Sequence, residues 1–132
     1  INLSSYHKHS WYLIRNCELL GYSRAEKNII AAIARYHRKT LPKKRHESWQ
    51  ILVTKEEKET ALDMALILRL ASSLDKRPLP AIESINLTFS DNQIIFQLNP
   101  SDMGNQPLLE KWSLRSCYGI LKEMKGIELK VI

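Results

Sequence analysis

The stretch SRAEKNIIAAIARYHRKTLP, residues 23–42, states where a helix begins, which side it buries and where it must stop. Ser23 and Glu26 have the spacing of a capping box, in which the Ser hydroxyl and the Glu carboxylate each satisfy a free backbone amide. Ile29, Ile30, Ile33 and Ala34 mark the apolar side, and the spacing predicts a helix to about His37. Pro42 forbids its continuation, because proline lacks an N–H and restricts the residue before it. The run RYHRKTLPKKRH, residues 35–46, therefore starts on a helix end and continues in a loop.

Working upstream, Trp11, Ile14, Cys17 and Leu20 recur at near-helical spacing and predict a helix from about Tyr6 to Leu20, with Gly21 as its stop. Downstream, TKEE at Thr54–Glu57 is a second capping box and opens the longest predicted helix, ending near Asp75. Its segment ALDMALILRLASSL is apolar nearly all round, the pattern of a buried central helix. Pro78 and Pro80 then read as a linker. Beyond them, INLTF and IIFQL flank the turn residues SDNQ and predict a β-hairpin. A helix is expected from about Pro107 to Lys125, with Gly126 as its stop, and IELKVI closes the chain with strand-like alternation. The fold class expected is mainly α with a small α+β tail. Residues 1–77 would form the helical part, and residues 78–132 a β-β-α-β tail packed on it as one continuous domain.

Charge is the chain's most uneven property. Across 132 residues there are 20 Lys+Arg against 14 Asp+Glu. Residues 35–46 hold six of the cations, two histidines and no acid, so the remainder is neutral. A local excess points to a local anionic partner. No apolar run approaches the roughly 18 residues of a membrane span, and nothing resembles a signal peptide. Cys17 and Cys117 stand far apart and form no metal-type pair, which suits reduced thiols in a cytoplasmic protein. The chain opens at Ile1 rather than methionine and reads as a fragment of something longer.

No Ser-His-Asp spacing, P-loop, glycine-rich dinucleotide motif or paired-cysteine motif is present. His7 and His9 are two residues apart, so on one helix they face different ways and cannot share a metal. Asp75 ends an apolar helix, where its charge opposes the local dipole and calls for a partner: Arg69, Lys76, Arg77 or a cation. On these residues alone the chain holds no complete catalytic site.

YHKHSWYLIRNCELLGYSRAEKNIIAAIARYHRK at 6–39 and LILRLASSLDKR at 66–77 resemble the C-terminal region of the exopolyphosphatase/guanosine pentaphosphate phosphohydrolase family. Residues 82–132 match only in their general pattern. The resemblance implies an HD-domain-like helical bundle that binds long polyphosphate and supports a homodimer. An N-terminal actin-like half, absent here, would carry out the hydrolysis with Mg2+, so the fragment alone would be inactive. Of the HD-type metal set, the resemblance carries over only Asp75, with His9 and His37 at positions where some HD proteins add ligands.

Polyphosphate needs repeated cations to hold it, with Arg as a forked donor and Lys as a mobile charge. Arg35, Arg38, Lys39, Lys43, Lys44, Arg45 and His46 are the expected polyphosphate-binding track. A guanosine pentaphosphate phosphatase domain is one alternative, and a non-catalytic dimerisation or scaffold module is another, since Trp112 and Tyr118 could serve an interface. Tyr36 is the only aromatic inside the run, which argues against specific nucleic-acid binding.

Overall fold

The structure, a computed structural model, describes residues 6–38, 40–102 and 106–132. About half of the chain is helical, with a small three-stranded sheet near its C-terminus. The elements are α1 (Tyr6–Asn16), α2 (Arg24–Tyr36), α3 (Glu47–Gln50), α4 (Lys55–Leu74), β1 (Ile82–Ser90), β2 (Gln93–Pro100), α5 (Leu108–Arg115), α6 (Tyr118–Lys125) and β3 (Glu128–Val131). Among the described residues no helix is long and apolar enough to cross a membrane. The chain divides into two compact units, Ile1–Leu68 and Arg69–Ile132, with the boundary inside α4.

In the first unit, both capping boxes form as the sequence predicts. Ser23 Oγ accepts from the Glu26 amide at 3.1 Å while Glu26 Oε1 accepts from the Ser23 amide at 3.0 Å. Thr54 Oγ1 accepts from the Glu57 amide at 3.0 Å, and the Glu57 carboxylate accepts from the amides of Val53 and Thr54. The buried face of α2 differs from the expected one. Ala31, Ala32, Arg35 and Tyr36 are buried, whereas Ile29, Ile30 and Ile33 are only half-buried. Small alanines let neighbouring elements approach closely, and the core gathers Ala32, Tyr36, Leu52, Ala61 and Ala65 with Ile29 and Trp49 packed against them.

Helix α4 is not buried all round. It hides Ala61, Ala65, Leu66, Arg69 and Ser73 but leaves Met64, Ile67 and Leu68 open. An apolar circumference in sequence therefore reads here as one packed stripe plus an uncovered apolar side.

The second unit holds the sheet in the order β1-β2-β3. β1 and β2 form the expected antiparallel hairpin, with Ser90 opposite Gln93 across the turn. β3 pairs parallel to β2, Ile94 opposite Leu129 and Phe96 opposite Val131. A parallel return needs a crossover, which α5 and α6 supply. The single helix expected over 107–125 is thus two, broken at Ser116 and Cys117, and Gly126 ends the second in the left-handed region at φ 66°. Phe96, Leu98, Leu114, Cys117, Leu121, Leu129 and Val131 are buried. Arg77 clamps the buried Glu110 with two bonds, Nε to Oε1 at 2.9 Å and Nη2 to Oε2 at 3.2 Å.

Candidate anion site around His46

The basic run is held in shape by the short helix α3, which the sequence did not announce. His46 lies just before α3, and its carbonyl accepts from the amides of Trp49 and Gln50 at 3.0 and 2.9 Å. Its own amide donates to the Lys43 carbonyl at 2.9 Å, closing a turn over residues 43–46. The Gln50 side chain reaches back to donate to the Lys44 carbonyl at 2.8 Å. These bonds use the backbone and leave the Lys43, Lys44 and Arg45 side chains exposed.

Under this turn sits a polar relay. Arg35 donates through Nη1 to Ser48 Oγ at 3.0 Å. Ser48 Oγ lies 2.7 Å from the Tyr36 hydroxyl, which lies 2.9 Å from His46 Nδ1. A guanidinium can only donate, so a one-way chain that leaves neither hydroxyl hydrogen idle runs from Arg35 through Ser48 and Tyr36 to His46 Nδ1. That direction leaves Nε2 carrying the histidine proton. The Tyr36 and His46 rings stack at 5.8 Å and 16°, and Trp49 meets Tyr36 edge-on at 6.0 Å.

The electrostatics of the relay are one-sided. Burial lowers the His46 pKa, and the positive charges of Arg35, Arg45, Lys43 and Lys8 lower it further. Burial raises the Tyr36 hydroxyl above its ordinary value, against smaller opposing effects of Ser48 and Arg35, so it stays a donor. Arg35 is only 9% exposed, and among the described residues its Nε has no hydrogen-bond partner and its charge no carboxylate. The neighbouring acid Glu47 is taken by Arg15 at 2.7 Å. Lys8 of α1, Arg35 of α2, and Lys43 and Arg45 of the 43–46 turn thus all act on His46 as positive charge.

The structure distributes the predicted residues unevenly. Lys43, Arg45 and His46 come together, Lys44 is exposed beside them, and Arg38 is exposed past the end of α2. Arg35 lies inside, beneath the track. Lys39 falls outside the described residues. Lys8, Tyr36 and Ser48 belong to the site but escaped the sequence reading; Lys8 sits a helix away, and Ser48 carries no motif. His9 is exposed on α1, His37 Nδ1 is 2.8 Å from the Ala34 carbonyl of its own helix, and Asp75 is exposed just past α4. Among the described residues no three His, Cys, Asp or Glu side chains gather as a group that could hold a metal ion.

Residues 1–117 match the family described as Ppx/GppA phosphatase, domain III. Two curated relatives carry the name guanosine-5'-triphosphate,3'-diphosphate pyrophosphatase. The one from Vibrio atlanticus (strain LGP32) is 32% identical over 102 residues, 76% of this chain and 19% of the relative. The one from Pseudoalteromonas translucida (strain TAC 125) is 44% identical over 43 residues, 33% of this chain and 9% of the relative. The chain therefore spans a fifth or less of the relatives it matches.

Proposed function

This chain belongs to the Ppx/GppA phosphatase family, and from that membership we propose that it holds a phosphate polymer on the cations around His46 for a catalytic half elsewhere in the protein. The observation that carries this reading is buried Arg35, linked to His46 through Ser48 and Tyr36 and without a carboxylate among the described residues, beside the exposed Lys43, Lys44 and Arg45. Cations brought together without counter-charge repel one another, and a polyanion relieves that repulsion while releasing its own condensed counterions. Tyr36, the aromatic of the basic run, is buried in the relay and is not an open stacking ring of the kind a single-stranded nucleic acid would use. The intact protein, in this proposal, is a cytoplasmic hydrolase. It removes the terminal phosphate of polyphosphate, or the 5′ phosphate of guanosine pentaphosphate, with Mg2+ bound in an actin-like half.

Affinity for long-chain polyphosphate, measured by calorimetry for the wild type and for Lys43, Lys44 and Arg45 changed together to Ala, tests the reading. Detectable binding at low salt that weakens at least tenfold in the triple variant, and also falls in Lys8→Ala, is expected. Equal, weak binding by wild type and triple variant sinks it.

A second role has its own observation. Trp112 on α5 is 69% exposed and Tyr118 on α6 is 44% exposed. Open aromatics of that size favour a self-association surface, so we propose that this unit also supports a homodimer. Light scattering that gives one chain mass at micromolar concentration would remove this part of the proposal and leave the anion site standing.

A further inference from the structure

A second basic feature lies at the other end of α1 and α2, away from His46. The C-terminal turns of α1, the first turns of α2 and the residues after α3 enclose a cavity of about 550 Å³. That is within the range of roughly 300–1,000 Å³ typical of small-molecule sites. α1 contributes Tyr12, Arg15 and Asn16, which share one helix face by their i, i+3 and i+4 spacing. α2 contributes Arg24, Lys27 and Asn28 by the same spacing, and Ile51 and Val53 close the remaining side.

The polar wall has donors to spare. Arg15 is fixed by Glu47 at 2.7 Å and lies over the Trp11 ring at 5.2 Å, so its position is set and its charge balanced. Lys27 spends one N–H on the Cys17 carbonyl at 3.1 Å, a neutral acceptor, and among the described residues its ammonium has no ion pair. Arg24 has no ion pair among the described residues. Asn16 donates Nδ2 to the Tyr12 carbonyl at 2.8 Å and keeps its Oδ1 as an acceptor. Arg24 and Lys27, cations three residues apart, suit a short run of phosphates, to which each can donate charge-assisted bonds.

The apolar wall separates this cavity from a bare phosphate site. Tyr12 is 61% exposed and Val53 85% exposed, so a ring and a branched aliphatic side chain stand open beside the cations. A ligand that satisfies both walls carries a flat apolar ring at one end and several negative charges at the other. We infer that the cavity between α1 and α2 binds a nucleoside di- or triphosphate, its phosphates on Arg24 and Lys27 and its base against Tyr12. Aromatic stacking serves any base, so selectivity among bases is weak. This site shares no residue with the cluster around His46, and its failure or success is independent of the polymer-holding role.

The test titrates the whole chain with ATP and GTP, and with tripolyphosphate as the phosphate-only comparison, following Tyr12 ring resonances by NMR. Arg24→Ala with Lys27→Ala, and separately Tyr12→Ala, are the variants; Arg24 and Tyr12 are exposed and Lys27 is half-buried, and circular dichroism checks the fold. Nucleotide binding that moves the Tyr12 resonances, falls tenfold or more in the Arg24/Lys27 variant and several-fold in Tyr12→Ala, supports the inference. Retention of that affinity in the Lys43/Lys44/Arg45 triple variant separates this site from the track. Nucleotide affinity unchanged by Arg24→Ala with Lys27→Ala overturns it. So does tripolyphosphate binding as tightly as GTP with no effect of Tyr12→Ala, which would make the cavity an inorganic phosphate site.

Discussion

Ser48 is the smallest side chain in the site and the one on which the rest depends. Its hydroxyl accepts from buried Arg35 and meets Tyr36, so Ser48→Ala strips the Arg35 Nη1 of its acceptor without opening a large cavity, while Tyr36 keeps His46. Leaving a buried donor unsatisfied costs about 1–3 kcal/mol, and urea denaturation should show a lowered midpoint with an unchanged slope. His46 makes a second prediction, set by sign. Its folded pKa is lowered, by burial first and then by Arg35, Arg45, Lys43 and Lys8, so the unfolded chain binds a proton more readily. Stability from His46 is complete above its unfolded value of about 6.5 and declines as pH falls below it toward the folded value. A bound polyanion reverses the repulsion and raises the pKa, so binding takes up a proton and polyphosphate affinity should strengthen as pH falls through this window. Internal phosphates of a long chain stay ionised throughout. His46→Asn, which keeps an acceptor for Tyr36, should flatten the profile; a wild-type slope surviving in that variant would refute the coupling. At this scale the sequence showed the cations but not their depth. Arg35 and Arg38 look alike in a basic run, but α2 ends at Tyr36, so Arg35 is carried on the helix face that is buried while Arg38 lies past the helix end and is exposed.

Elements with local signals were legible, and those set by packing were not. Ser23–Glu26 and Thr54–Glu57 state their capping boxes in four residues each, so the starts of α2 and α4 fall where the sequence puts them. α3 has only four residues and no apolar period, and it exists because His46 and Glu47 backbone groups close it. The break between α5 and α6 falls at Ser116 and Cys117, with no proline or glycine at either position to announce it. Gly126 is different, because its role is local. It sits at φ 66°, and a methyl group added there would meet no atom within 4 Å, so only backbone strain opposes substitution. Gly126→Ala should therefore cost about 1–2 kcal/mol, the ordinary penalty for a side chain in the left-handed region. Thermal unfolding checks it, and a loss well beyond that range would mean that the turn into β3 has a packing role as well.

Over the whole molecule, the question is whether the charge acts as a track or merely as a net excess. The chain carries +6, and outside residues 35–46 its Lys and Arg are matched by acids. A net excess would weaken polyphosphate binding equally whichever cations were removed. A track makes the answer depend on place. For single-stranded polyanions the logarithm of affinity falls with the logarithm of salt by about 0.7 for each phosphate neutralised. Changing Lys43, Lys44 and Arg45 to Ala should then flatten the slope by about 2, if each contacts one phosphate. The comparison is Lys76, Lys125 and Lys130 changed together to Ala, which removes the same charge from exposed positions of the other unit. That variant should lower affinity slightly at low salt through the weaker overall field and leave the slope where it was. If both triple variants flatten the slope alike, the cations around His46 are simply part of the protein's charge. If only the first does, the segment between α2 and α3 is the surface that meets the polymer.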